Sequence, residues 1–428
     1  MFAANRSATA AAPRRRSPSL LIIGRLGAVS LALVSAPIVA RTLGPQGRGE
    51  TAAALALFLI VPVVLGLGIP LEVRRQAATS DGHAVMRTAR TLVVLSTTGA
   101  AAIAALTYFT IFSGFSSGGR AIATLGIALA PLSTSWAIDV SVLVAHRRYG
   151  AVLLMQLLQP AVYVALILLF WVLDIATVAT ILSASIGGTA ATFFAGQLLV
   201  RVSVRGQRVD AKSLLRKGLS FSGSAVAEAA TSRADQVLAL PLIGAYQAGL
   251  YSVAATIGAV PLAIGHALGA SYFAPVAQAE GKRRLQIQSE AIRAAIAVAL
   301  MTTPLIAVMA WVAIPVLFGE AFSASVPVTM ISLLGSAAML AAYVASMSLA
   351  AAGRGIKMTI AQVVSLITGL VGLVVMGPAL GAVGAAIAST LGYFTLLAIL
   401  LGSHRVSSRT FVPHARDFTG VIQRLRRD

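Results

Sequence analysis

Long apolar runs with almost no charge inside them dominate this sequence and limit the folds that it can adopt. Several runs reach the ~20 residues that a helix needs to cross the hydrocarbon core of a bilayer. Only 11% of the 428 residues are charged, whereas about a quarter of a typical soluble protein is charged. A surface exposed to water cannot be built from so few charges. The sequence therefore predicts a polytopic membrane protein and excludes a cytosolic enzyme, a secreted domain and a nucleic-acid-binding protein.

The apolar runs are separated by charged connections and indicate an all-α fold with about twelve transmembrane helices. A helix satisfies its own backbone hydrogen bonds in lipid, whereas the strands of a barrel would be shorter and would alternate in polarity. The expected spans are residues 19–40, 51–70, 91–112, 121–145, 151–173, 177–200, 219–243, 249–275, 294–317, 326–352, 358–377 and 382–401.

Lysine and arginine residues are distributed unevenly between alternate connections. Twenty-eight of the 33 fall in the N-terminus, the tail and every second connection, and the other connections hold only Arg41, Arg48 and Arg120. Cytoplasmic segments of membrane proteins carry such an excess of positive charge. We therefore expect a multi-pass protein of the bacterial plasma membrane with both termini in the cytoplasm. The net charge of +20 then reflects orientation rather than nucleic-acid binding.

The two halves of the sequence repeat a pattern at an offset of 200 residues. A G-x4-G motif at Gly44 and Gly49 recurs at Gly244 and Gly249, between the first two spans of each half. Glycine suits a tight turn between antiparallel helices because it tolerates a positive φ. With six spans each, both halves enter the membrane from the same side. This predicts two parallel six-helix bundles around a central cleft.

The connections divide the sequence into five parts. These are a disordered cytoplasmic N-terminus (1–18), an N-terminal six-helix bundle (19–200), a basic cytoplasmic linker (201–218), a C-terminal six-helix bundle (219–401) and a basic cytoplasmic tail (402–428). The apolar run 20–40 contains Arg25 and is too long for the core of a cleaved signal peptide. For the tail, a short helix on the anionic inner leaflet and a disordered segment are both open alternatives.

Residues 40–50, which read ARTLGPQGRGE, resemble the first-loop signature of the polysaccharide (oligosaccharide) flippase family. Segments 233–238 (RADQVL), 249–254 (GLYSVA) and 147–150 (RRYG) agree with the same family, and the similarity covers essentially the whole chain. The family shares a superfamily with multidrug-and-toxin extruders and lipid II flippases. The resemblance implies a flippase that moves polyprenyl-pyrophosphate-linked oligosaccharide from the inner to the outer leaflet for surface polysaccharide biosynthesis.

Charged side chains inside the expected spans mark the candidate site, because a charge at the bilayer centre costs roughly 2.5–3.5 kcal/mol. Arg233 lies near mid-depth in span seven, and a guanidinium is well suited to bidentate phosphate binding. An internal ion pair of Arg233 with Asp139 or Asp235 is the alternative. Arg25 lies near the inner end of span one. There it either reaches the headgroups or, as the family resemblance favours, lines the cavity as a second cation for pyrophosphate.

One face of span seven carries four oxygen-bearing side chains within about 80° of one another: Ser224, Glu228, Ser232 and Asp235. Glu228 and Asp235 are therefore candidates for coupling transport to a cation gradient. Asp139 is a third candidate, for ion coupling or pairing, with a solvated position at the inner end of span four as the alternative. For His266 a proton relay competes with a hydrogen bond to a neighbouring helix, and the hydrogen bond is the simpler expectation.

The sequence shows no pattern for catalysis or for a cofactor. It has no cysteine, its five histidines lack metal-ligand spacing, and it contains no P-loop. We therefore expect a protein that is not an enzyme and that has no catalytic residue, metal or cofactor. Expected partners are lipid-linked oligosaccharide, membrane lipids and glycan-assembly membrane proteins, but not nucleic acid. The alternatives are a cation-coupled multidrug or metabolite exporter of the same superfamily, and a membrane glycan polymerase. A polymerase should carry a long outer loop, which this sequence lacks.

Overall fold

A computed structural model of the protein describes residues 19–78, 82–203 and 205–404. The expectations for the N-terminus (1–18) and for the tail from residue 405 onward lie outside the described residues. The described residues form α-helices together with one short π-helix and one short 3₁₀-helix, and no β-strand. The α-helices are α1 (Ser19–Gly66), α2 (Ile69–Ala77), α3 (Gly82–Phe109), α4 (Ser117–Ala128), α5 (Ala130–Ala145), α6 (Tyr149–Val172), α7 (Val178–Leu199), α8 (Ala211–Gln278), α9 (Gly281–Ala313), α10 (Ser325–Ala351) and α11 (Gly355–Ser403). The all-α fold is confirmed.

Nine helical segments of the described chain are long and apolar enough to cross a membrane. Three of them contain a glycine at which the backbone is not helical: Gly44 in α1 (φ 65°), Gly244 in α8 (φ 79°) and Gly381 in α11 (φ 57°). Glycine reaches a positive φ at little cost, so each of these residues can make a turn. The positive φ at Gly44 and Gly244 is the geometry expected from the G-x4-G repeat. The count of twelve membrane crossings stays a prediction.

In α8 and α11 the chain folds back on itself at these glycines. The hydroxyl of Tyr251 donates a hydrogen bond to the carboxylate of Asp235, 16 residues earlier in α8. In a straight helix these residues would lie about 24 Å apart. In α11 the Ser365 hydroxyl donates to the carbonyl oxygen of Gly392 at 2.8 Å, across 27 residues. Each of these two helices is therefore a pair of antiparallel segments.

The turns of α1 and α8 pack against each other reciprocally. A Cβ atom added to Gly49 would collide with the carbonyl oxygen of Ala245, and one added to Gly249 would collide with the carbonyl oxygen of Pro45. The two contacts are related by the same offset of 200 residues as the sequence repeat. Such a reciprocal contact is what two copies of one unit make around a two-fold axis. The second glycine of each motif, Gly49 or Gly249, is thus required because the two backbones approach closely there, and not because its φ is positive.

Several helices begin before the expected spans, and two differences, in spans two and four, have a clear local cause. Helix α1 resumes directly after Gly44, earlier than the expected start of span two at residue 51, because one glycine suffices for the turn. Arg48 is therefore one turn inside a helix and not in a loop. Expected span four is divided into α4 and α5 at Leu129, shortly before Pro131, which cannot donate the next backbone hydrogen bond.

The largest hydrophobic core joins the two halves beside the paired turns. It combines small residues of α1, such as Ala53, with Val253 and Ala254 of α8, and it includes Phe318 and Phe322. Small side chains allow the backbones of membrane helices to approach closely. This end of the molecule is therefore closed by packing between the halves.

We predict that Gly249→Ala destabilises the protein by about 1–3 kcal/mol, even though alanine favours helix formation, because its methyl group would overlap the backbone of Pro45. Thermal unfolding of the purified protein in detergent measures the effect. Gly114→Ala is the matched control, since a Cβ at Gly114 meets nothing within 4 Å. Equal unfolding temperatures for the two variants would contradict the tight contact.

Candidate functional site

Two adjoining cavities are lined by both segments of α8. The first, the central cavity, has a volume of about 460 Å³ and separates α8 from α1, α6 and α7. Its polar lining consists of Arg25, Ser35, Arg48, Gln156, Gln159, Tyr163, Ser185, Arg233, Gln236, Ser252 and Thr256. The second, the C-half cavity, has a volume of about 230 Å³ and lies among α8, α10 and α11. Its polar lining includes Arg25, Glu228, Ser232, Arg233, Asp235, Gln236, Tyr251, His266, Tyr343, Ser389 and Tyr393.

Arg25 and Arg233, the two arginines inside the expected spans, both line both cavities. Arg25 donates from Nη2 to Nε2 of His266 at 3.4 Å, which links α1 to α8. The ring of His266 in turn meets Tyr343 of α10 edge to face, with 4.2 Å between the ring centroids. Arg25 thus lies on the cavity wall, as the resemblance implied. His266 makes the expected hydrogen bond to a neighbouring helix.

Arg233 has neither an ion pair nor a hydrogen bond within the part of the chain that the structure describes. An ion pair of Arg233 with Asp139 or Asp235, the alternative, is therefore not seen among the described residues. Arg233 and Gln236, three residues later on α8, face both cavities. A guanidinium held at the junction of two cavities, with its donors unoccupied, is available to an anionic ligand.

Asp235 lies in the C-half cavity at the meeting point of three helical segments. It accepts hydrogen bonds from the hydroxyl of Tyr251 and from the backbone N–H of Gln236, the latter at 2.8 Å. The hydroxyl of Ser389 on α11 is 3.1 Å from Oδ2 of Asp235 and 2.6 Å from the Tyr251 hydroxyl. Glu228 lines the same cavity, two turns earlier on α8. The structure thus brings Glu228 and Asp235 together, as the helical face predicted.

Asp139 lies apart from both cavities, among α3, α5 and α7. Its side chain is fully buried, and Oδ1 pairs with Nη2 of Arg90 at 3.1 Å. The same Nη2 is 3.0 Å from the carbonyl oxygen of Val200. The expectation of a solvated inner-end position is wrong, because the carboxylate packs between helices. Pairing, which was also expected, is confirmed, whereas a role for Asp139 in ion coupling stays a prediction.

The two cavities differ in the balance of the charges that line them. Among the described residues, the only charged ones that line the central cavity are arginines, and its other polar groups are amides and hydroxyls. The C-half cavity adds the carboxylates of Glu228 and Asp235 to the arginines that it shares. The central cavity therefore suits an anion, whereas only the C-half cavity also offers carboxylates to a cation.

Arg48 is the cavity residue that the sequence analysis missed, since it was counted among outside loops. Its distance from the turn could have identified it. Arg48 is four residues after the turn glycine Gly44, so its side chain is already one helical turn inside the bundle. Gln156, Gln159 and Tyr163 of α6 were also missed, because uncharged polar residues in an apolar helix carry little signal.

Comparison with known proteins relates the chain to membrane transporters. Residues 16–276 match the family model for polysaccharide biosynthesis proteins. No curated protein matches the sequence significantly. The fold is similar to that of the lipid II flippase MurJ in an inward-closed conformation, with a TM-score of 0.74 at 14% identity over 95% of this chain and 92% of that chain.

Two MATE transporters are also similar in fold. One is a multidrug resistance MATE family transporter of the MOP superfamily in an inward-facing conformation. Its TM-score is 0.66 at 16% identity, over 94% of this chain and 99% of that chain. The other is a MATE transporter of Vibrio cholerae, with a TM-score of 0.60 at 15% identity over 92% and 96% of the two chains.

The helices, the paired halves and the cavities along α8 define a multi-pass membrane protein with the fold of MOP-superfamily transporters. The sequence match extends over more than half of the chain. The chain belongs to the polysaccharide biosynthesis protein family.

We predict that the Arg90–Asp139 pair stabilises the N-terminal half and that its two partners contribute unequally. Arg90→Gln should lower the free energy of unfolding by about 3–5 kcal/mol, because it leaves the carboxylate buried and unpaired. Asp139→Asn should cost less, since Arg90 is 23% exposed and can reach water. Chemical denaturation of the single and double variants measures the coupling. Full stability of Asp139→Asn combined with a loss of transport would instead assign Asp139 to ion coupling.

Proposed function

We propose that the protein is a flippase that translocates polyprenyl-pyrophosphate-linked oligosaccharide from the inner to the outer leaflet by alternating access, for surface polysaccharide biosynthesis. One observation carries the proposal: Arg25 and Arg233 both line both cavities, and Arg233 has no hydrogen bond or ion pair within the described chain. Two guanidinium groups in one cavity lining provide the bidentate hydrogen bonds and the charge that a pyrophosphate requires. The family to which the chain belongs is consistent with this substrate.

In this proposal the central cavity holds the sugar end of the substrate. Its amides and hydroxyls, among them Gln156, Gln159 and Tyr163, are suited to hydrogen bonds with sugar hydroxyl groups. The polyprenyl tail stays in the lipid beside the two halves. The halves rock around the cleft so that the same arginines face first the cytoplasm and then the outer side. Substrate affinity must differ between these two states, or binding would drive no change.

The carboxylates of the C-half cavity are proposed to couple this cycle to a cation gradient. Asp235 is already surrounded by oxygen atoms of Tyr251 and Ser389, and Glu228 faces the same space. A proton or a sodium ion is the candidate coupling ion, since oxygen ligands suit both. Asp139 is retained as a candidate from the sequence, although its pairing with Arg90 provides a structural role as well.

The proposed location is the bacterial plasma membrane with both termini in the cytoplasm, as the distribution of arginine and lysine predicts. The proposed partners are the lipid-linked substrate, membrane lipids and membrane proteins that assemble the glycan. Transport of this kind changes no covalent bond, so the protein is not proposed to be an enzyme.

A cation-coupled multidrug exporter is the second candidate, and a specific observation favours it. Glu228 and Asp235 share a cavity into which a cationic compound could bind, and the fold resembles MATE transporters. The three arginines of the central cavity oppose it, because they repel a cation. Deletion of the gene distinguishes the candidates. The flippase proposal expects sugar-loaded polyprenyl pyrophosphate to accumulate on the inner leaflet, whereas an exporter predicts sensitivity to cationic drugs.

We predict that Arg233→Ala reproduces the accumulation seen in the deletion strain and that Arg233→Lys restores transport only in part. Lysine keeps the positive charge but loses the planar pair of donors. The measurement is the amount of lipid-linked oligosaccharide extracted from cells at matched protein level. Arg120→Ala is the control, since Arg120 donates to the carbonyl oxygen of Tyr108 and lines neither cavity. Normal surface glycan in the Arg233→Ala strain would remove Arg233 from the mechanism.

We predict that Asp235→Asn abolishes the dependence of transport on a cation gradient but leaves substrate binding in place. The amide cannot bind a proton or a cation as the carboxylate does, whereas the arginines remain. Flipping in proteoliposomes under an imposed proton or sodium gradient checks this. Tyr251→Phe, which removes one hydrogen bond to Asp235, should give an intermediate response. An Asp235→Asn variant that still responds fully to the gradient would assign coupling elsewhere.

A further inference from the structure

Arg48 is a buried arginine of the central cavity that the proposed mechanism does not yet use. It lies one turn after Gly44 in α1, is only 8% exposed and lines the cavity together with Arg25 and Arg233. Its Nη2 donates to the hydroxyl of Thr256 at 3.0 Å, across the interface between the two halves. Thr256 is one turn from Ser252 and from Ala259, which line the same cavity. The guanidinium therefore reaches the cavity wall formed by α8.

The charge of Arg48 is uncompensated within the part of the chain that the structure describes. No carboxylate pairs with it, and its Nε is buried without a hydrogen-bond partner. The nearest acidic residue in sequence, Glu50, is hydrogen-bonded to Gln46 instead. The Arg48 guanidinium has five N–H donors and makes one hydrogen bond, so most of its donors lack a protein acceptor. A buried cation in this state destabilises the protein unless something else neutralises it.

The described residues do not supply the missing partner. Among them, the lining of the central cavity beside Arg48 includes no carboxylate, and its neutral polar groups, such as Gln156 and Gln236, suit a hydroxyl-rich ligand. Thr256 does not depend on Arg48, because its own hydroxyl also donates to the carbonyl oxygen of Ser252 at 2.8 Å. The Arg48 guanidinium is thus free to exchange its bond to Thr256 for a stronger one to an anion.

We propose that Arg48 forms a third anion-binding position of the central cavity and binds an anionic oxygen group of the transported lipid. This inference rests on the proposed function. The group is either the pyrophosphate itself, shared with Arg25 and Arg233, or an acidic substituent on the sugar, such as a carboxylate. Both offer the same chemistry to a guanidinium, and Arg48 supplies charge where the amides of the cavity supply only hydrogen bonds.

The test measures binding to the purified full chain in nanodiscs by calorimetry, with three short-chain probes. These are farnesyl pyrophosphate, farnesyl pyrophosphate-linked glucose and farnesyl pyrophosphate-linked glucuronic acid. Arg48→Met removes the charge at similar length, and Arg48→Lys retains it. We expect Arg48→Met to weaken binding about tenfold or more, and Arg48→Lys to recover part of the loss. A loss with all three probes identifies pyrophosphate as the group bound, and a loss confined to the glucuronic acid probe identifies the sugar.

Thermal unfolding without ligand separates binding from a structural role. Because Arg48 is buried without a counter-charge, Arg48→Met should raise the unfolding temperature of the ligand-free protein while it weakens binding. A structural arginine would show the opposite, with stability and binding falling together. That result, or unchanged affinity for every probe, would overturn the inference.

The proposed function fails in a different way from this inference. If the wild-type protein binds none of the three probes, the flippase proposal fails and the role of Arg48 fails with it. If the wild type binds them with an affinity that depends on Arg233 but not on Arg48, the flippase proposal stands and only the third anion-binding position is lost.

Discussion

The cost of holding a positive charge in a membrane is the constraint on which the rest of this structure depends. Arg25, Arg48 and Arg233 all lie within helices that are apolar enough to span a bilayer, where an uncompensated charge costs several kcal/mol. None of the three forms an ion pair within the described chain. The structure tolerates them by placing all three around one polar cavity rather than against lipid. The polar cavity thus lowers the cost of burying the arginines, and the arginines make the cavity selective for anions.

The cavity exists because the two halves meet at only part of their facing surfaces. Gly49 and Gly249 let the turns of α1 and α8 come into backbone contact, and the core around Val253 and Phe318 seals the space beside them. Between these turns and a second close contact, where Gly68 approaches the backbone of Gly218 and Ser222 of α8, the halves separate and the central cavity fills the gap. For rigid halves to rock, one of these two contacts has to open while the other serves as the pivot.

The fold was more predictable from the sequence than the site was, for a physical reason. Apolar runs, the arginine distribution and the G-x4-G repeat are signals in single segments, so the all-α fold and the turns at Gly44 and Gly244 could be predicted. A charged residue in an apolar run is also a local signal, which is why Arg25 and Arg233 were found. Partnerships between distant residues leave no such signal. Sequence spacing predicted neither the pairing of Asp139 with Arg90 nor the hydrogen bond from Tyr251 to Asp235. That Arg233 lacks an ion pair could be established only from the positions of its neighbours.

The closeness of Arg233 to Asp235 constrains how a coupling ion can act. The two residues are two positions apart on α8 and both line the C-half cavity, so a cation at Asp235 would favour an anion at Arg233. By linkage, an anion at Arg233 would equally favour a cation at Asp235.

If both ligands bound together, an inward cation gradient would oppose outward transport of the lipid. A gradient can drive the proposed transport only if the cation binds to the empty carrier and leaves when the substrate binds. Since electrostatics alone favours joint occupancy, that exclusion has to be conformational. The contact of Asp235 with Tyr251 and Ser389, which joins both segments of α8 to α11, is the element whose opening would achieve it.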